Sequence, residues 1–227
     1  VTGPPPQDTT SVFNIVGKIT QIYPATAAVG DIVTITGTGY GTDNTNELIR
    51  IDFGSHNTIT TAIASTNGTF SVTFLVSTQV WGTKIVSVRG YDSGEFQTII
   101  FFVNPKIYYL DPPSGDENEI ILIKGTGFKD DIGDEDINIY FGGNFIDDTK
   151  VDSDGSFTFT ILSAPSQPFG PVVITAQDSN GVESYIYATT IFNMTGKITL
   201  ISPQSGVVGT AVTITGSVYP AGTNTIT

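Results

Sequence analysis

One block of sequence occurs three times in this chain and decides its fold. The block reads GKITQIYPATAAVGDIVTITGTGY from Gly17, PKIYYLDPPSGDENEIILIKGTGF from Pro105 and GKITLISPQSGVVGTAVTITGSVY from Gly196. Within each copy a proline is followed 13 residues later by a glycine, as at Pro24 and Gly37. Self-similarity at a nearly fixed period indicates that one structural unit is repeated along the chain.

The first two copies remain similar beyond this block. The matching segments are IRIDFG at 49–54 with INIYFG at 137–142, and NGTFSVTFLV at 67–76 with DGSFTFTIL at 154–162. The sequence therefore predicts four segments: a Pro-rich linker or N-terminal extension at 1–12, complete repeats at 13–104 and 105–192, and a partial third repeat at 193–227.

Each repeat is predicted to consist of short β-strands. Apolar Val33 and Ile35 alternate with Thr34 and Thr36, the period-2 pattern of a strand with one buried face. The 34 Thr, 25 Gly and 12 Pro residues are typical of strands joined by tight turns. About seven strands in about 90 residues is the size of an immunoglobulin-like sandwich. The predicted fold class is all-β, with tandem immunoglobulin-like sandwiches, two complete and one partial.

Charge and composition exclude several classes of function. The net charge is −13 with only nine Lys and Arg residues, so the chain lacks the basic surface that nucleic-acid binding requires. The absence of Cys excludes disulfides and thiolate metal sites. No apolar run approaches the roughly 20 residues that a membrane-spanning helix needs, so no membrane insertion is expected.

The repeated block resembles a known family of domains. Its third copy carries Ile201, Pro203, Gly206 and Gly209 in order, followed by VTITG at 212–216. With the I-x-F-G strand of the first two repeats, this pattern resembles the IPT/TIG domains, immunoglobulin-like modules of plexins, some transcription factors, and bacterial and archaeal surface proteins. The resemblance implies an immunoglobulin-like fold. It implies no particular activity, because the members of this family do not share one.

Acidic residues are concentrated in the second repeat, which has four basic and fifteen acidic side chains. Two predicted loops hold most of them, and closely spaced loop carboxylates can supply the six to eight oxygen ligands of Ca²⁺. The candidate calcium ligands are Asp130, Asp131, Asp134, Asp136, Asp152 and Asp154. The alternative interpretation is a solvated acidic surface without a bound ion. Calcium is therefore the one candidate cofactor.

The sequence offers little for catalysis. A catalytic triad needs an imidazole, and the single histidine, His56, follows a predicted strand in an exposed position. The paired carboxylates that could hydrolyse glycosides crowd into loops without an apolar neighbour that would raise one pKa. We therefore expect the chain not to be an enzyme.

Two further features concern the surface. Trp81 and Phe169 precede glycines at matching positions of the two repeats, where aromatic rings either close the end of a sandwich core, the favoured interpretation, or stack on sugar rings. Asn67 and Asn193 fit the N-glycosylation pattern, so both are candidate modification sites.

Repetition and the partial third repeat together favour a structural function. We expect a non-catalytic extracellular or cell-surface protein of a prokaryote that forms a filament, surface layer (S-layer) or stalk. Its expected partners are copies of itself or further repeats of the same chain. The alternative is an adhesin or carbohydrate-binding spacer of a larger surface protein or secreted enzyme, with glycans as ligands. The candidate assembly residues are Phe192, Asn193, Ile198, Ile201, Val212 and Ile214.

Overall fold

The computed structural model describes residues 14–41, 46–129, 136–179 and 186–218, and the predicted linker at 1–12 lies outside them. These described residues form β-strands and no helix, as the sequence predicts. The first repeat contains β1 (Lys18–Tyr23), β2 (Thr26–Ala28), β3 (Ile32–Thr38), β4 (Glu47–Phe53), β5 (His56–Ala64), β6 (Phe70–Leu75), β7 (Gly82–Gly90) and β8 (Phe96–Asn104).

The second repeat contains an equivalent set of strands, and a single strand pair follows it. The strands of the second repeat are β9 (Lys106–Asp111), β10 (Ser114–Gly115), β11 (Ile121–Thr126), β12 (Asp136–Phe141), β13 (Asn144–Lys150), β14 (Phe157–Ile161), β15 (Gly170–Asp178) and β16 (Tyr187–Met194). The strands of the third repeat are β17 (Lys197–Ser202) and β18 (Thr213–Ser217), which we call the third-repeat hairpin.

Both complete repeats have the same sheet topology. In the first, a three-stranded sheet β1-β3-β6 accompanies a five-stranded sheet β2-β8-β7-β4-β5. In the second, the orders β9-β11-β14 and β10-β16-β15-β12-β13 reproduce these positions strand for strand. Two mainly antiparallel sheets with about eight short strands form an immunoglobulin-like sandwich, which confirms the predicted fold class.

By contact the chain divides into two compact units. The first comprises Val1–Pro24, Val33–Phe74 and Ile85–Ile100. Its core shows why the strands form, because Ile49, Ile51 and Phe53 of β4 are fully buried while the residues between them point away from the core. Further core residues of this unit are Val33, Ile35, Tyr40, Ala64, Phe70, Phe74, Val86 and Val88.

A buried acidic side chain in the first unit stabilises a turn. Glu47 is fully buried, and its Oε1 atom accepts hydrogen bonds from the backbone N–H groups of Asp92 (2.9 Å) and Ser93. Because these residues follow β7, Glu47 ties the start of β4 to the turn after β7. Sequence alone gave no sign of this contact, since its partners lie 45 and 46 residues away.

The second unit comprises Ala25–Ile32, Leu75–Lys84 and Phe101–Thr227. Its core is formed by both sheets of the second repeat, and the rings of Phe141 and Phe192 lie 5.8 Å apart within it. The other core residues are Ile107, Ile121, Ile123, Phe128, Ile137, Ile139, Phe157, Ile161, Ala164, Val172, Ile174, Ala176, Ile186, Ala188 and Met194.

Candidate assembly site

The third-repeat hairpin reproduces the pairing of the first two long strands of a complete repeat. In both pairs the antiparallel ladder is interrupted by a bulge at the corresponding place. The matching Cα pairs are Lys18–Thr38 with Lys197–Ser217, Ile22–Ile35 with Ile201–Ile214, and Tyr23–Thr34 with Ser202–Thr213. The hairpin therefore has the register of a sandwich, although it consists of two strands.

The apolar face of this hairpin is exposed. In the first repeat the corresponding side chains are buried, with exposed fractions of 8% for Ile22, 0% for Val33 and 0% for Ile35. The exposed fractions at the equivalent positions of the hairpin are 43% for Ile201, 53% for Val212 and 48% for Ile214. Ile198 on β17 is also exposed. Four of the six predicted assembly residues are thus exposed here: Ile198 and Ile201 on β17, Ile214 on β18, and Val212 immediately before β18.

One edge of β18 is unpaired in the part of the chain that the structure describes. In the complete repeats, β3 pairs with β1 on one side and β6 on the other, and β11 lies between β9 and β14 in the same way. β18 pairs with β17 alone. Such an edge presents backbone N–H and C=O groups that can hydrogen-bond another strand.

The contacts that attach the hairpin to the rest of the second unit include an ion pair, a backbone hydrogen bond just before β17, and the packing of Val218, directly after β18, against the core of the second repeat. Lys197 Nζ lies 3.0 Å from Oδ1 of Asp116, and the backbone N–H of Thr195 donates to the carbonyl of Gly115 at 2.8 Å. An equivalent lysine, Lys106, pairs with Asp31 at 2.9 Å in the same unit. The hydrogen bond from Lys106 holds the pKa of the Asp31 carboxyl below its ordinary value.

The sequence predicts Phe192 as an assembly residue, and the structure corrects this prediction. It is fully buried in the core of the second repeat, because the alternation along β16 turns Phe192 and Met194 inward. Asn193, between them, is exposed, and its backbone N–H donates to the carbonyl of Pro113. Phe192 therefore stabilises its own domain and is unavailable to another chain.

The predicted calcium ligands fall into two groups. Asp130, Asp131 and Asp134 lie outside the described residues, and Asp136 begins β12. Asp152 and Asp154 are exposed in a turn, where Oδ1 of Asp154 accepts hydrogen bonds from the N–H (3.0 Å) and hydroxyl (2.6 Å) of Ser156. Within the described ranges no group of three or more His, Cys, Asp or Glu side chains is placed to hold a metal. Calcium binding stays a prediction.

The aromatic residues at matching positions have different surroundings. The ring of Trp81 packs edge-on against that of Phe102 at 5.2 Å, beside the core of the second unit. Phe169 is exposed. An open cleft of about 390 Å³ is lined by Trp81, Phe102, Asn104, Pro105 and Tyr187, all residues of the second unit. The equivalence of the two aromatic positions in sequence therefore does not extend to their environment.

The remaining predicted positions lie at the surface. Asn67 is exposed in the turn before β6, and its Oδ1 atom accepts a hydrogen bond from the Thr69 hydroxyl at 2.8 Å. Asn193 is exposed within β16. His56 is the exposed first residue of β5. Both candidate glycosylation sites, Asn67 and Asn193, are therefore accessible to solvent.

Comparison with protein families assigns the second repeat to a known domain family. Residues 105–191 match the model of the IPT/TIG domain. This second repeat is an IPT/TIG domain. Its strands β9 to β16 occupy the same sheet positions as β1 to β8 of the first repeat. The resemblance to IPT/TIG domains that the sequence predicts is therefore confirmed for the second repeat.

Several solved structures are similar to parts of the chain. A putative membrane-anchored protein from Corynebacterium diphtheriae is 14% identical with a TM-score of 0.35, covering 83% of this chain and 55% of that one. The BSP domain of a biofilm-associated protein is 15% identical with a TM-score of 0.29, covering 78% and 29%. A Ca²⁺-stabilised adhesin of an Antarctic bacterium that binds ice is 14% identical with a TM-score of 0.25, covering 83% and 52%.

The chain thus spans well under two thirds of each of these proteins. No curated protein sequence matches it. Among the described residues, no helix has the length and apolar character needed to cross a membrane.

Proposed function

We propose that this chain is a structural, non-catalytic section of a prokaryotic extracellular protein, built from tandem immunoglobulin-like repeats. In this proposal the repeats contact copies of the same chain and form a filament, surface layer or stalk. The observation that carries it is the repetition of one sandwich topology, strand for strand, in the two complete repeats.

The chemistry of the third-repeat hairpin supports contact with a further β-strand. Ile201, Val212 and Ile214 expose apolar surface that the complete repeats bury, and contiguous exposed apolar surface marks interaction sites. The unpaired edge of β18 adds backbone hydrogen-bonding groups beside this surface. A contact that used both features would bury side chains and extend a sheet at once.

Electron microscopy of the isolated protein tests this proposal. We expect ordered fibres or lattices from the intact chain and dispersed particles after deletion of residues 197–227. The deletion begins after Met194 so that the buried Phe192 and Met194 remain in the core of the IPT/TIG domain. A matched variant, Ile214→Thr, keeps the chain length and a β-branched side chain while it removes apolar surface. Assemblies that persist unchanged in both variants would contradict the proposal.

Calcium can be tested in the same preparation. If the acidic loops of the second repeat bind Ca²⁺ that the assembly needs, EDTA disperses the fibres and added Ca²⁺ restores them. The variant Asp152→Asn/Asp154→Asn should then raise the Ca²⁺ concentration required. Fibres that are indifferent to EDTA would assign these carboxylates to a solvated acidic surface.

An adhesin function is the second candidate, and the aromatic cleft favours it. Trp81, Phe102 and Tyr187 line an open space of about 390 Å³, which is in the size range of small-ligand sites. Trp81 is the single tryptophan of the chain, so its fluorescence reports on this cleft alone. Saturable fluorescence changes with a glycan panel, lost in Tyr187→Ala but kept in Tyr91→Ala, would support glycan binding.

A further inference from the structure

The second unit contains a second cleft with a polar lining, which we call the polar cleft. Residues of segments 25–32 and 75–84, which belong to this unit, line it together with residues of β9, of β11 and of the turn before β14. Its volume is about 470 Å³, within the range of small-ligand sites, and no residue lines both this cleft and the one at Trp81. Its polar side chains are Thr78, Lys106, Tyr108, Thr126, Asp154 and Ser156.

Tyr108 lines the polar cleft from a β-bulge of β9. In the ladder with β11, Tyr109 lies opposite Lys124 and Ile107 lies opposite Gly125, so that Tyr108 is the extra residue between two pairs. Its side chain is 56% exposed. A bulge changes the direction of the side chain at the extra residue, and bulges are frequent beside functional sites.

The other two repeats have threonine at this bulge and use it in the strand pair. The hydroxyl of Thr20 lies 2.8 Å from that of Thr36 on β3, and the hydroxyl of Thr199 donates to the carbonyl of Thr215 at 3.2 Å. A small hydroxyl residue therefore suffices for the bulge in two repeats, and the strand pairing does not require the ring of Tyr108.

The lining of the polar cleft includes a buried hydroxyl. Thr126 of β11 is 4% exposed, and its Oγ1 atom has no hydrogen-bond partner among the described residues. A buried hydroxyl without a partner is unfavourable and calls for an explanation. Thr38, at the equivalent position of the first repeat, is only half-buried. The unmet hydrogen-bonding capacity of Thr126 is thus a feature of this cleft and favours a ligand with polar groups.

The charges of the polar cleft favour an uncharged ligand. Lys106 pairs with Asp31 at 2.9 Å, and Asp154 adds a carboxylate on the side of β14. An anionic ligand would be repelled by Asp154, and a cationic ligand would be repelled by Lys106. The hydroxyls of Thr78 and Ser156 both donate and accept hydrogen bonds, as the hydroxyls of a sugar do.

We propose that the polar cleft binds an uncharged saccharide, with the ring of Tyr108 against one face of a sugar and the Asp154 carboxylate accepting hydrogen bonds from its hydroxyls. A sugar ring has an apolar C–H face and a rim of hydroxyl groups, which match an aromatic ring beside polar side chains. This site goes beyond the structural function, because it needs no second copy of the chain.

An NMR titration of the full chain with ¹³C-labelled tyrosine rings tests the site. The probes are methyl α-D-mannopyranoside, methyl β-D-galactopyranoside and N-acetylglucosamine, each added to about 20 mM so that millimolar affinity is detected. We expect at least one probe to shift the ring resonance of Tyr108 saturably, and the loss of that resonance in Tyr108→Thr assigns it. Absence of a saturable shift with all three sugars would overturn the proposal.

Two variants that copy the first repeat test the contact with Tyr108. Tyr108→Thr introduces the residue found at Thr20, so the bulge is retained while the ring is removed. Saturation-transfer NMR on the sugar should then show affinity lower by roughly tenfold or more. Tyr109→Gln introduces the residue found at Gln21, outside the cleft lining, and should leave affinity within about twofold. Equal affinities in the two variants would place the sugar elsewhere and overturn the site.

A third variant tests the carboxylate. Asp154→Asn introduces the residue found at Asn67, whose Oδ1 atom accepts a hydrogen bond from Thr69 as that of Asp154 does from Ser156, so the turn is retained. Affinity should fall by roughly threefold to tenfold, because a charged acceptor forms the stronger hydrogen bonds. Unchanged affinity would contradict the role of Asp154.

Charged probes test the class of ligand. Inorganic phosphate and tetramethylammonium should leave the Tyr108 resonance unshifted. A saturable shift with either ion, together with none from the sugars, would overturn the saccharide assignment. Thermal unfolding verifies that each variant remains folded.

The outcomes are distinguishable from those for the proposed function. Sugar binding by a chain that stays dispersed in the microscope would keep this site and remove self-assembly. Fibres that form from a chain without sugar binding would do the reverse. Tyr187→Ala alters the cleft at Trp81 and should leave binding at the polar cleft unchanged, so the two clefts are tested independently.

Discussion

Lys197 Nζ lies 3.0 Å from Oδ1 of Asp116, and this ion pair fastens β17 to the segment that follows β10. Both side chains are partly exposed, and pairs of this kind stabilise by about 1 kcal/mol or less. We expect Lys197→Ala to speed amide exchange in β17 and β18 by roughly fivefold or less, without changing the thermal unfolding of the IPT/TIG domain. Lys18→Ala, at the equivalent position of the first repeat, is the control. A large loss of overall stability would contradict this local role.

The ion pair between Lys106 and Asp31 predicts a titration. The pKa of Asp31 is lowered first by the hydrogen bond from Lys106, and the N–H of Ala28 donates to its other oxygen at 3.0 Å. A lowered folded-state pKa stabilises the protein above the unfolded-state pKa, and this contribution is lost as the pH falls through the folded-state value. Carboxyl NMR should show Asp31 titrating below the ordinary range, and Lys106→Ala should return it there. An unchanged value in the variant would assign the shift to another group.

Tyr40 and Phe128 occupy equivalent positions of the two repeats. Replacing each residue by the other is predicted to change the free energy of unfolding in opposite directions. The hydroxyl of Tyr40 is buried, and among the described residues it has no hydrogen-bond partner. Tyr40→Phe should therefore leave the free energy of unfolding unchanged or raise it by up to about 1 kcal/mol. Phe128→Tyr buries a new hydroxyl and should lower it by roughly 1–3 kcal/mol. Urea unfolding measures the free energy of unfolding of both variants. Equal changes in the two would contradict the inference that the Tyr40 hydroxyl is buried without a hydrogen bond.

The ionisation of Tyr40 adds a pH dependence. Burial, with smaller effects from the Glu95 and Glu47 carboxylates, raises the pKa of Tyr40 to about 12. Because the protonated form is favoured in the folded state, its stabilisation is complete below the ordinary tyrosine pKa of roughly 10 and is lost as the pH rises toward 12. Tyr40→Phe should lose less stability than the parent protein between these pH values. Parallel pH curves for the two proteins would contradict this prediction.

Glycines at equivalent positions should differ in their tolerance of a methyl group. Gly125→Ala forces the ring of Phe157 to move and should lower the free energy of unfolding of the IPT/TIG domain by about 1–3 kcal/mol. Gly216→Ala adds the same group at an exposed position and should change stability by less than about 0.5 kcal/mol. Denaturant unfolding of the free chain compares the two. A similar loss in both variants would show that β18 is already covered.

The long strands could be predicted because local sequence determines them. Alternation in VTITG marks β3, and the turn dipeptides at 67–68 and 154–155 each end one residue before β6 and β14 begin. β2 and β10 could not be predicted, because they contain three and two residues and depend on parallel pairing with β8 and β16. Pairing with a distant strand leaves no periodic pattern in so short a segment.

The candidate site could be predicted only in part. The apolar residues of β17 and β18 follow from the repeated block, but their exposure is a property of the folded chain. Phe192 directly precedes the predicted third repeat, which is why it is predicted as an assembly residue, whereas the period-2 pattern of Ala188, Phe192 and Met194 marks an inward-facing strand. The surroundings of Trp81 depend on Phe102 and Phe128, which are distant in sequence.

The shared register of the third-repeat hairpin bears on how such domains fold during synthesis. β17 and β18 pair in the alignment of β1 and β3 although no later strand accompanies them in the described chain. The information that sets this alignment therefore lies within about twenty consecutive residues. On a ribosome, where the amino-terminal part of a repeat emerges first, these strands can align before the rest of their sandwich exists. Each repeat would then offer the strands that follow a template already in register, which limits the opportunity for neighbouring repeats of similar sequence to exchange strands.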